Sequence, residues 1–513
     1  MNKEIDLLLT PEEAANQTTL KRIAASESGI PAKDIKCLKI IRRSIDARHR
    51  PVYRLKVFLS TEEQSLERAK LNYQDVSQKE SVIIVGAGPC GLFAALKLIE
   101  CGLKPIILER GKCIEERKKD IAIIARNKEL NTESNWCFGE GGAGTFSDGK
   151  LYTRSNKRGN INEVLETFVE FGADENILAD THAHIGTDKL SRIIKNIRAK
   201  ILQCGGEYHF NAKVIDFIVK DKTILGVKLS DGRTIESQAT ILACGHSARD
   251  IYELFAAKAW EIEAKPFAMG VRVEHSQELI NRSQYHSPHY SHLLPPASYS
   301  LVHNVKDRGV FSFCMCPGGM IIPSSTEKGQ LAVNGMSSSL RNSPFANSGL
   351  VVSIKESDAA AFANHGALSL MRFQEACEKQ MYINNQIAPA QRISDFIASR
   401  ASRNLCSSSY PAGLYACNMK DYLPKVVSEN LKAGLKVFDQ KIKGFISDNA
   451  LIIGLESRTS SPVRIPRDRD SLQHIELKNL YPCGEGAGYA GGITSSAIDG
   501  INAAKKIAET LIH

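Results

Sequence analysis

An α/β fold built on a Rossmann-like, nucleotide-binding parallel sheet is what this sequence predicts, from three observations. Val82 to Glu109 reads as strand, glycine-rich turn, helix, strand and acid. A helix from Thr187 to Gly205 is followed by a β-meander and a buried strand, Ala239 to Ala243, of the kind that complete such a domain. Near the end, residues 480–508 repeat the order strand, glycine-rich turn, helix.

In the first stretch, Ser81 to Val85 is a short apolar, β-branched run, and GAGPCG sets Gly86, Gly88 and Gly91 in GxGxxG spacing. Gly86 allows the tight turn, Gly88 lets backbone N–H groups approach a pyrophosphate, and Gly91 lets the helix pack on the strand. The free N–H groups and dipole at the helix start favour the phosphates. Glu109, eighteen residues after Gly91, stands where a carboxylate accepts hydrogen bonds from a ribose diol. By itself this stretch suits NAD as well as FAD.

Residues 1–75 are expected to form a small α+β module. Thr18 or Thr19 caps a short helix to about Ser28, stopped by Gly29-Ile30-Pro31. Cys37 to Ser44 and Val52 to Ser60 read as strands joined by a polar turn around Asp46 to Pro51. Lys36, Lys39, Arg42, Arg43, Arg48, Arg50, Arg54 and Lys56 face a single acid, Asp46, along this hairpin. Such a patch could dock nucleic acid. With only Tyr53 and Phe58 for stacking, a solvated sheet face is the preferred reading. Glu62 to Lys79 is charged and suits a linker helix into the nucleotide domain, whose first part is 76–263.

Asn135 to Leu151 holds a second formal GxGxxG at Gly139, Gly141 and Gly144 without flanking strand or helix, and reads as a glycine-rich ligand loop. Thr187 would cap its helix; Tyr208 to Phe217 and Thr223 to Leu229 read as strands, with Asp231-Gly232 a hairpin turn. After Ala243 the chain turns out through Cys244-Gly245-His246-Ser247. From 264 to 414, proline and serine breaks, β-like runs such as Gly270 to Val273 and a helix Leu368 to Tyr382 predict a mixed α+β substrate or cap domain inserted into the nucleotide fold. Residues 415–513 form the second part of that fold together with a return segment from the cap, ending in a helix with Ile493, Ala497, Ile501 and Ala504 on one face.

Length and composition bound the rest. A chain of 513 residues, 43% hydrophobic, is expected to hold about two to four domains. The N-terminus lacks a signal-peptide pattern, and no run approaches the ~18 apolar residues of a membrane span. The 13 cysteines are scattered, which predicts reduced thiols in a cytoplasmic protein and no metal site. A net charge of +9 is modest for this length and does not imply nucleic acid.

These pieces resemble the two-dinucleotide-binding, glutathione-reductase-like flavoproteins. Ala95, Gly102 and Glu109 after GAGPCG match their long FAD signature, and GEGAG near the end looks like their second FAD motif. GEGGAGTFSDGKL, HIGTDKL, CMCPGG, VNGMS, SRTSSPVRI and GEGAGYAGGITSSAIDG together are similar to a group of bacterial FAD-dependent dehydrogenases related to the HI0933-like flavoproteins. The resemblance covers most of residues 35–513 and implies an FAD/NAD(P)-binding Rossmann-like domain with bound FAD. It places Gly86, Gly88, Pro89, Cys90 and Gly91 at the pyrophosphate, Glu109 at the adenosine ribose, and Arg110 and Val214 by the adenine. Gly141, Gly142, Ala143, Gly144, Thr145, Asp148, Lys150 and Leu151 would run along the ribityl chain and flavin ring, and Ala243, Cys244 and Gly245 past the diphosphate. Gly484 and Glu485 would lie by the ribityl chain, with Glu485, where the family usually has aspartate, reaching the ribityl hydroxyls or the pyrophosphate. Gly491, Gly492 and Ile493 would aim helix amides at the flavin, where positive dipole favours the anionic reduced ring.

The resemblance implies an oxidoreductase passing hydride or electrons through flavin N5, with an unidentified small organic substrate. Cys314 and Cys316 could be a redox dithiol, but CxC is strained as a disulfide and lacks the CxxC spacing, which weighs toward structural thiols beside a tight turn. His246 and His184 are weak candidates for acid or base work against a structural role. Arg458, Arg464, Arg467 and Arg469 suit an anionic substrate group or a solvated loop. With one full Rossmann unit, NAD(P)H as a reductant would bind transiently against the inserted domain. Two alternatives stay open: an RNA-associated or RNA-modifying flavoprotein using the basic hairpin, and a non-turnover FAD sensor or scaffold.

Overall fold

The computed structural model describes residues 1–63, 71–127, 129–152, 159–286 and 291–512. Five short strands form a parallel sheet in the order Leu480–Pro482, Ala239–Leu242, Ser81–Val85, Lys104–Leu108, Glu207–His209. Both faces are covered, so the central strands Ser81–Val85 and Lys104–Leu108 are near-continuous apolar runs rather than alternating, while the edge strand Glu207–His209 is polar. Val82 and Ile84 point into a core with helices Pro89–Glu100, Thr187–Gln203 and Ile493–Ile512, while Ile83 and Val85 meet Phe217, Val227 and Phe255 on the other side.

That other side is the meander Val214–Lys220, Thr223–Leu229, Thr234–Glu236, with helix Arg249–Ala257 against it. The run expected as one strand from Tyr208 to Phe217 is two. Asn211, at φ 52°, turns the chain out of the parallel sheet, and Val214 begins the meander.

A seven-stranded sheet forms the second body: Val302–Val305, Arg308–Cys316, Phe345–Ile354, Phe267–Ser276, Leu451–Glu456, Ala388–Arg392, Leu414–Ala416. All neighbours are antiparallel except the last pair. Gly270 to Val273 is thus the middle of a ten-residue central strand. Helix Lys425–Lys441 packs on this sheet, with Gly434 against Val310. The expected helix from Leu368 is observed as Ser369–Met381. The second body therefore runs past residue 414: its fifth strand ends at Glu456.

The N-terminal module has three strands, Asn2–Leu9, Val52–Ser60 and Cys37–Asp46, in that spatial order. Leu7, Leu9, Leu55, Val57 and Leu59 close its core with Leu20 and Ala24 of helix Gln17–Ser28. Asn16 caps this helix rather than Thr18 or Thr19, accepting from the Thr19 N–H at 3.0 Å, and Gly29 ends it at φ 74°. The linker helix expected over Glu62 to Lys79 is absent from its described part. Residues 71–80 are irregular, tied down by Val76 N–H to the Cys204 carbonyl at 2.8 Å, and 64–70 lie outside the described residues.

Candidate functional site

A cleft of about 350 Å³ opens at the carboxyl ends of the parallel strands, and its lining follows directly from those ends: Gly86 after Val85, Glu109 after Leu108, Ala243 after Leu242. This is where open parallel sheets bind ligands. Helices Pro89–Glu100 and Ile493–Ile512 both begin at it. They pack on one another through Gly500, where a Cβ would stand 2.1 Å from the Cys90 carbonyl oxygen.

The glycines divide into two kinds. At Gly86 (φ 109°) a Cβ would meet the Ala243 oxygen at 2.4 Å, and at Gly91 it would meet the Gly86 oxygen at 2.0 Å. These two are required by backbone packing. Gly88 and Gly142 bring the two glycine-rich segments together, a Cβ at Gly142 lying 3.1 Å from Gly88 Cα. By contrast, a Cβ at Gly245, Gly491 or Gly492 would meet nothing within 4 Å, and at Gly88 nothing nearer than 4.0 Å. All four line the cleft, so the absent side chains leave a cradle.

Glu109 is 4% exposed, and its carboxylate accepts from the N–H groups of Ala87 (2.9 Å), Gly111 (2.9 Å) and Gly139 (3.0 Å). It thereby ties the first turn to the glycine-rich loop. Arg117, fully buried, holds that loop from beneath, donating to the carbonyls of Asn135, Trp136, Gly139 and Glu140. Arg110 lines the cleft beside Val214, pairing with Glu133 (2.7 Å) and Asp250 (2.9 Å) over the Phe138 ring.

At the other end lie Asp148, Lys150, Glu485, Gly491, Gly492, Ile493 and Cys314. Asp148 takes a bidentate pair from Arg341 (3.0 and 2.5 Å) and a bond from Ser337. The Thr494 hydroxyl donates to the Leu151 carbonyl at 2.7 Å, and the Lys150 ammonium to the Met315 carbonyl, so residues 148–151 join the last helix to the second body. Burial raises the Glu485 carboxyl to about 7, Lys265 opposing and Cys314 adding to the shift.

Gly142, Ala143, Gly144, Pro89, Cys90, Ala243 and Cys244 also line the cleft. Gly91, Gly141, Thr145, Leu151 and Gly484 stand behind it as packing and bonding residues: the Gly141 N–H donates to Ala87, and the Gly484 N–H to Asp499 at 2.7 Å. Thr187 is the first residue of its helix rather than the cap, which is Gly186, and its hydroxyl donates to the Thr145 carbonyl at 2.8 Å. Phe138, Ser147, Lys213, Phe313 and Asn334 line the cleft without having been singled out in the sequence. Phe138 and Ser147 lie within the glycine-rich loop, Lys213 adjoins Val214, Phe313 adjoins Cys314 and Asn334 lies within VNGMS, the signals that pointed there.

His246 lines the cleft; burial, then Arg458 and Arg249, push its imidazole down to about 4, so it is neutral near pH 7 and holds no acidic proton. His184 stands off the cleft with Nε2 at 3.3 Å from the Ser339 carbonyl. Arg458 reaches the cleft from a buried cluster in which Glu378 pairs with it (3.0 Å) and with Arg249 (2.9 Å). Burial alone would raise the Glu378 carboxyl; the two guanidiniums outweigh it and hold it at about 2. Arg467 binds Asp499 at 2.7 Å beneath the Tyr489 ring, and Arg464 lies 3.6 Å from Glu263.

Half of the basic hairpin is spent internally: Arg43 on Asp180 (2.5 Å), Arg48 and Arg54 on Asp46 (2.6 and 2.8 Å), and Lys56 on Glu4 (2.6 Å). Among the described residues, no helix is long and apolar enough to cross a membrane, and no three His, Cys, Asp or Glu side chains gather as a metal site.

Comparison with known proteins bears on this cleft. Residues 266–459 match the family described as "FAD-dependent protein, C-terminal domain-like", and residues 1–58 a domain of unknown function, DUF8436. A protein of Clostridium beijerinckii described as "Uncharacterized protein" is 40% identical over 512 residues, 96% of either chain. Among solved structures, CtdE in complex with FAD is 13% identical with a TM-score of 0.33, each chain covered to 85%. The flavin-dependent brominase Bmp2 is 13% identical with a TM-score of 0.38, covering 85% of this chain and 80% of its own. Likeness that distant carries no argument about activity. The cofactor of this chain is FAD. Its cleft fits the group: a side-chain-free cradle, two helix N-termini for anionic and electron-rich atoms, and a buried carboxylate at the nucleotide end.

Proposed function

The chain belongs to one family with the Clostridium beijerinckii protein and carries the C-terminal domain of FAD-dependent proteins; from that premise we propose an FAD-dependent oxidoreductase acting on a small organic molecule. The observation that carries the reading is the meeting of both glycine-led helix starts with residues of the second body, Phe313, Cys314 and Asn334, in one cleft. FAD supplies hydride or electron-pair transfer, and the protein supplies orientation and electrostatics.

In this reading Glu109 keeps one lone-pair site for a ribose hydroxyl beyond its three backbone bonds. Gly88 and Pro89 open the helix toward the pyrophosphate, and the start of Ile493–Ile512 favours negative charge at the flavin end. The second body serves as a substrate or cap domain interrupting the nucleotide fold, as in the related HI0933-like flavoproteins. Substrate enters against Phe313 and Asn334, and NAD(P)H, where it is the reductant, docks transiently on the same side.

The test is anaerobic reduction of the purified, FAD-loaded chain by NADH and NADPH, followed by a metabolite screen for flavin reoxidation. Reduction followed by reoxidation by a defined acceptor is expected. A chain with no flavin absorbance even after incubation with FAD would sink the reading, and a flavin that no donor reduces would return the sensor or scaffold alternative.

A further inference from the structure

Strand Arg308–Cys316 carries a feature that the proposed function leaves unused. Its register against Phe345–Ile354 slips between Phe313 and Cys316: two steps on the partner, from Gly349 to Asn347, face three on this strand. One residue is therefore extra, a β-bulge, and Cys314 sits in it at φ 43°, in the left-handed region that a side-chain-bearing residue seldom occupies.

The bulge answers the objection to CxC. In a regular strand, residues two apart are separated by roughly 6.4–6.8 Å, the outer limit for a disulfide. The kink folds Cys316 back instead, with its Sγ 3.3 Å from the Cys314 carbonyl oxygen. Neighbours lock this geometry. Both terminal nitrogens of Arg272 donate to the Cys314 carbonyl at 3.1 Å, Arg272 pairs with Glu456 at 3.0 Å with both side chains fully buried, and Lys150 holds the Met315 carbonyl.

The two sulfurs are not equivalent. Cys314 lines the cleft, while Cys316 is fully buried behind it. The Cys316 side chain beside it, then Lys150 and Arg272, pull the Cys314 thiol well below its usual range, while that of Cys316 is pushed up. The asymmetry favours ionisation at the cleft-lining Cys314 and keeps the proton on Cys316. Cys314 is also tied to the flavin end, since Lys150 contacts its bulge and the adjacent Leu151 carbonyl receives the Thr494 hydroxyl.

We propose that Cys314 and Cys316 are a redox dithiol that closes to a disulfide as it passes two electrons to the bound flavin. The proposal rests on the FAD reading of the cleft. The Cys314 and Cys316 sulfurs bond to one another and the Cys316 S–H bond breaks. With Cys314 already ionised, one proton is released, and it goes with the electron pair to the oxidised flavin, which takes up both. Run backward, reduced flavin opens the disulfide, and the protein stores a second electron pair in its sulfurs.

The experiment is an anaerobic dithionite titration of the air-oxidised, FAD-loaded full chain, paired with alkylation and mass mapping of the peptide holding residues 308–323. The wild type should consume two equivalents per FAD, with both cysteines protected from alkylation before reduction and labelled after it. Cys314→Ser and Cys316→Ser should retain FAD and consume one equivalent. One equivalent in the wild type, with both thiols labelled in the oxidised protein, overturns the dithiol and leaves the FAD reading intact. A chain that takes up no FAD overturns both. Should the buried Cys316→Ser fail to fold, the wild-type titration and peptide map decide alone.

Discussion

Replacing Gly88 and Gly91 separately by alanine divides cofactor binding from folding. Gly88 caps its helix at φ −76°, which alanine adopts freely, and the nearest atom to a new Cβ is Gly142 Cα at 4.0 Å, an ordinary contact. Reduced freedom of the unfolded chain favours alanine by about 0.4–1 kcal/mol, and its poorer capping costs a similar amount. Gly88→Ala should therefore leave the apo-protein within about 1 kcal/mol of wild type. FAD is another matter, because the methyl stands in the cradle where a phosphate oxygen must approach backbone N–H groups. Each charge-assisted bond lost costs about 1.5–3 kcal/mol, a roughly 12- to 160-fold rise in Kd. Gly91→Ala sets a Cβ 2.0 Å from the Gly86 oxygen and 3.0 Å from Ile84 Cγ2. Neither the turn nor the buried strand yields cheaply, so this variant should unfold early even without cofactor. Quenching of FAD fluorescence on titration with apo-protein reads the first effect, and urea unfolding reads the second. A Gly88→Ala protein that binds FAD at wild-type affinity, or that unfolds as early as Gly91→Ala, would refute the division.

Other outcomes follow from the same contacts. Glu378→Gln leaves the Arg249 and Arg458 guanidiniums buried without their shared anion and should cost about 3–5 kcal/mol in urea unfolding; a loss under about 1 kcal/mol would mean water reaches the cluster. Glu109→Gln turns an amide NH2 toward backbone N–H donors and should destabilise the apo-protein by about 1–3 kcal/mol while weakening FAD; an unchanged midpoint would contradict the three bonds. Because the folded Glu485 carboxyl sits at about 7 against an ordinary 4.5, the folded chain holds the extra proton between those values. Apo-protein stability should then fall as pH rises through that window, and Glu485→Gln should flatten the slope; an identical pH profile would count against the shift. With half its bases paired, the hairpin should not retain RNA at physiological salt. Salt-dependent retention abolished by neutralising Arg42, Arg43 and Arg48 would return the RNA-associated alternative.

The nucleotide-binding elements were legible because their signals are local. A β-branched run, three glycines at fixed spacing and an apolar-periodic helix sit within thirty residues, and Ser81–Val85, Pro89–Glu100 and Lys104–Leu108 stand where they predict. The N-terminal strand was missed although its pattern was present: Ile5, Leu7 and Leu9 alternate with polar or exposed neighbours and face the module's core. Asn211 shows a limit of another kind: Asn211-Ala212-Lys213 is only a short gap between strand-forming side chains, yet a single left-handed residue there moves the chain between sheets. What holds the flavin end was illegible. Arg272 meets Glu456, Lys150 meets Met315 and Asp148 meets Arg341, partners far apart in the chain that only the folded second body brings together.

The docking of the last helix on the first also sets an order of events during synthesis. Leu480–Pro482 completes the parallel sheet beside Ala239–Leu242, and Gly500 closes against Cys90. At about 5–20 residues per second, a ribosome needs roughly 12–48 s to cross from Leu242 to Leu480. Throughout that interval the flank of Pro89–Glu100 that will meet the final helix stands bare, while the whole seven-stranded sheet emerges and can fold. A nascent chain therefore lacks the flavin end of its cradle until the last helix emerges, and truncation by a few dozen residues at the C-terminus takes Gly491 and Gly492 from it.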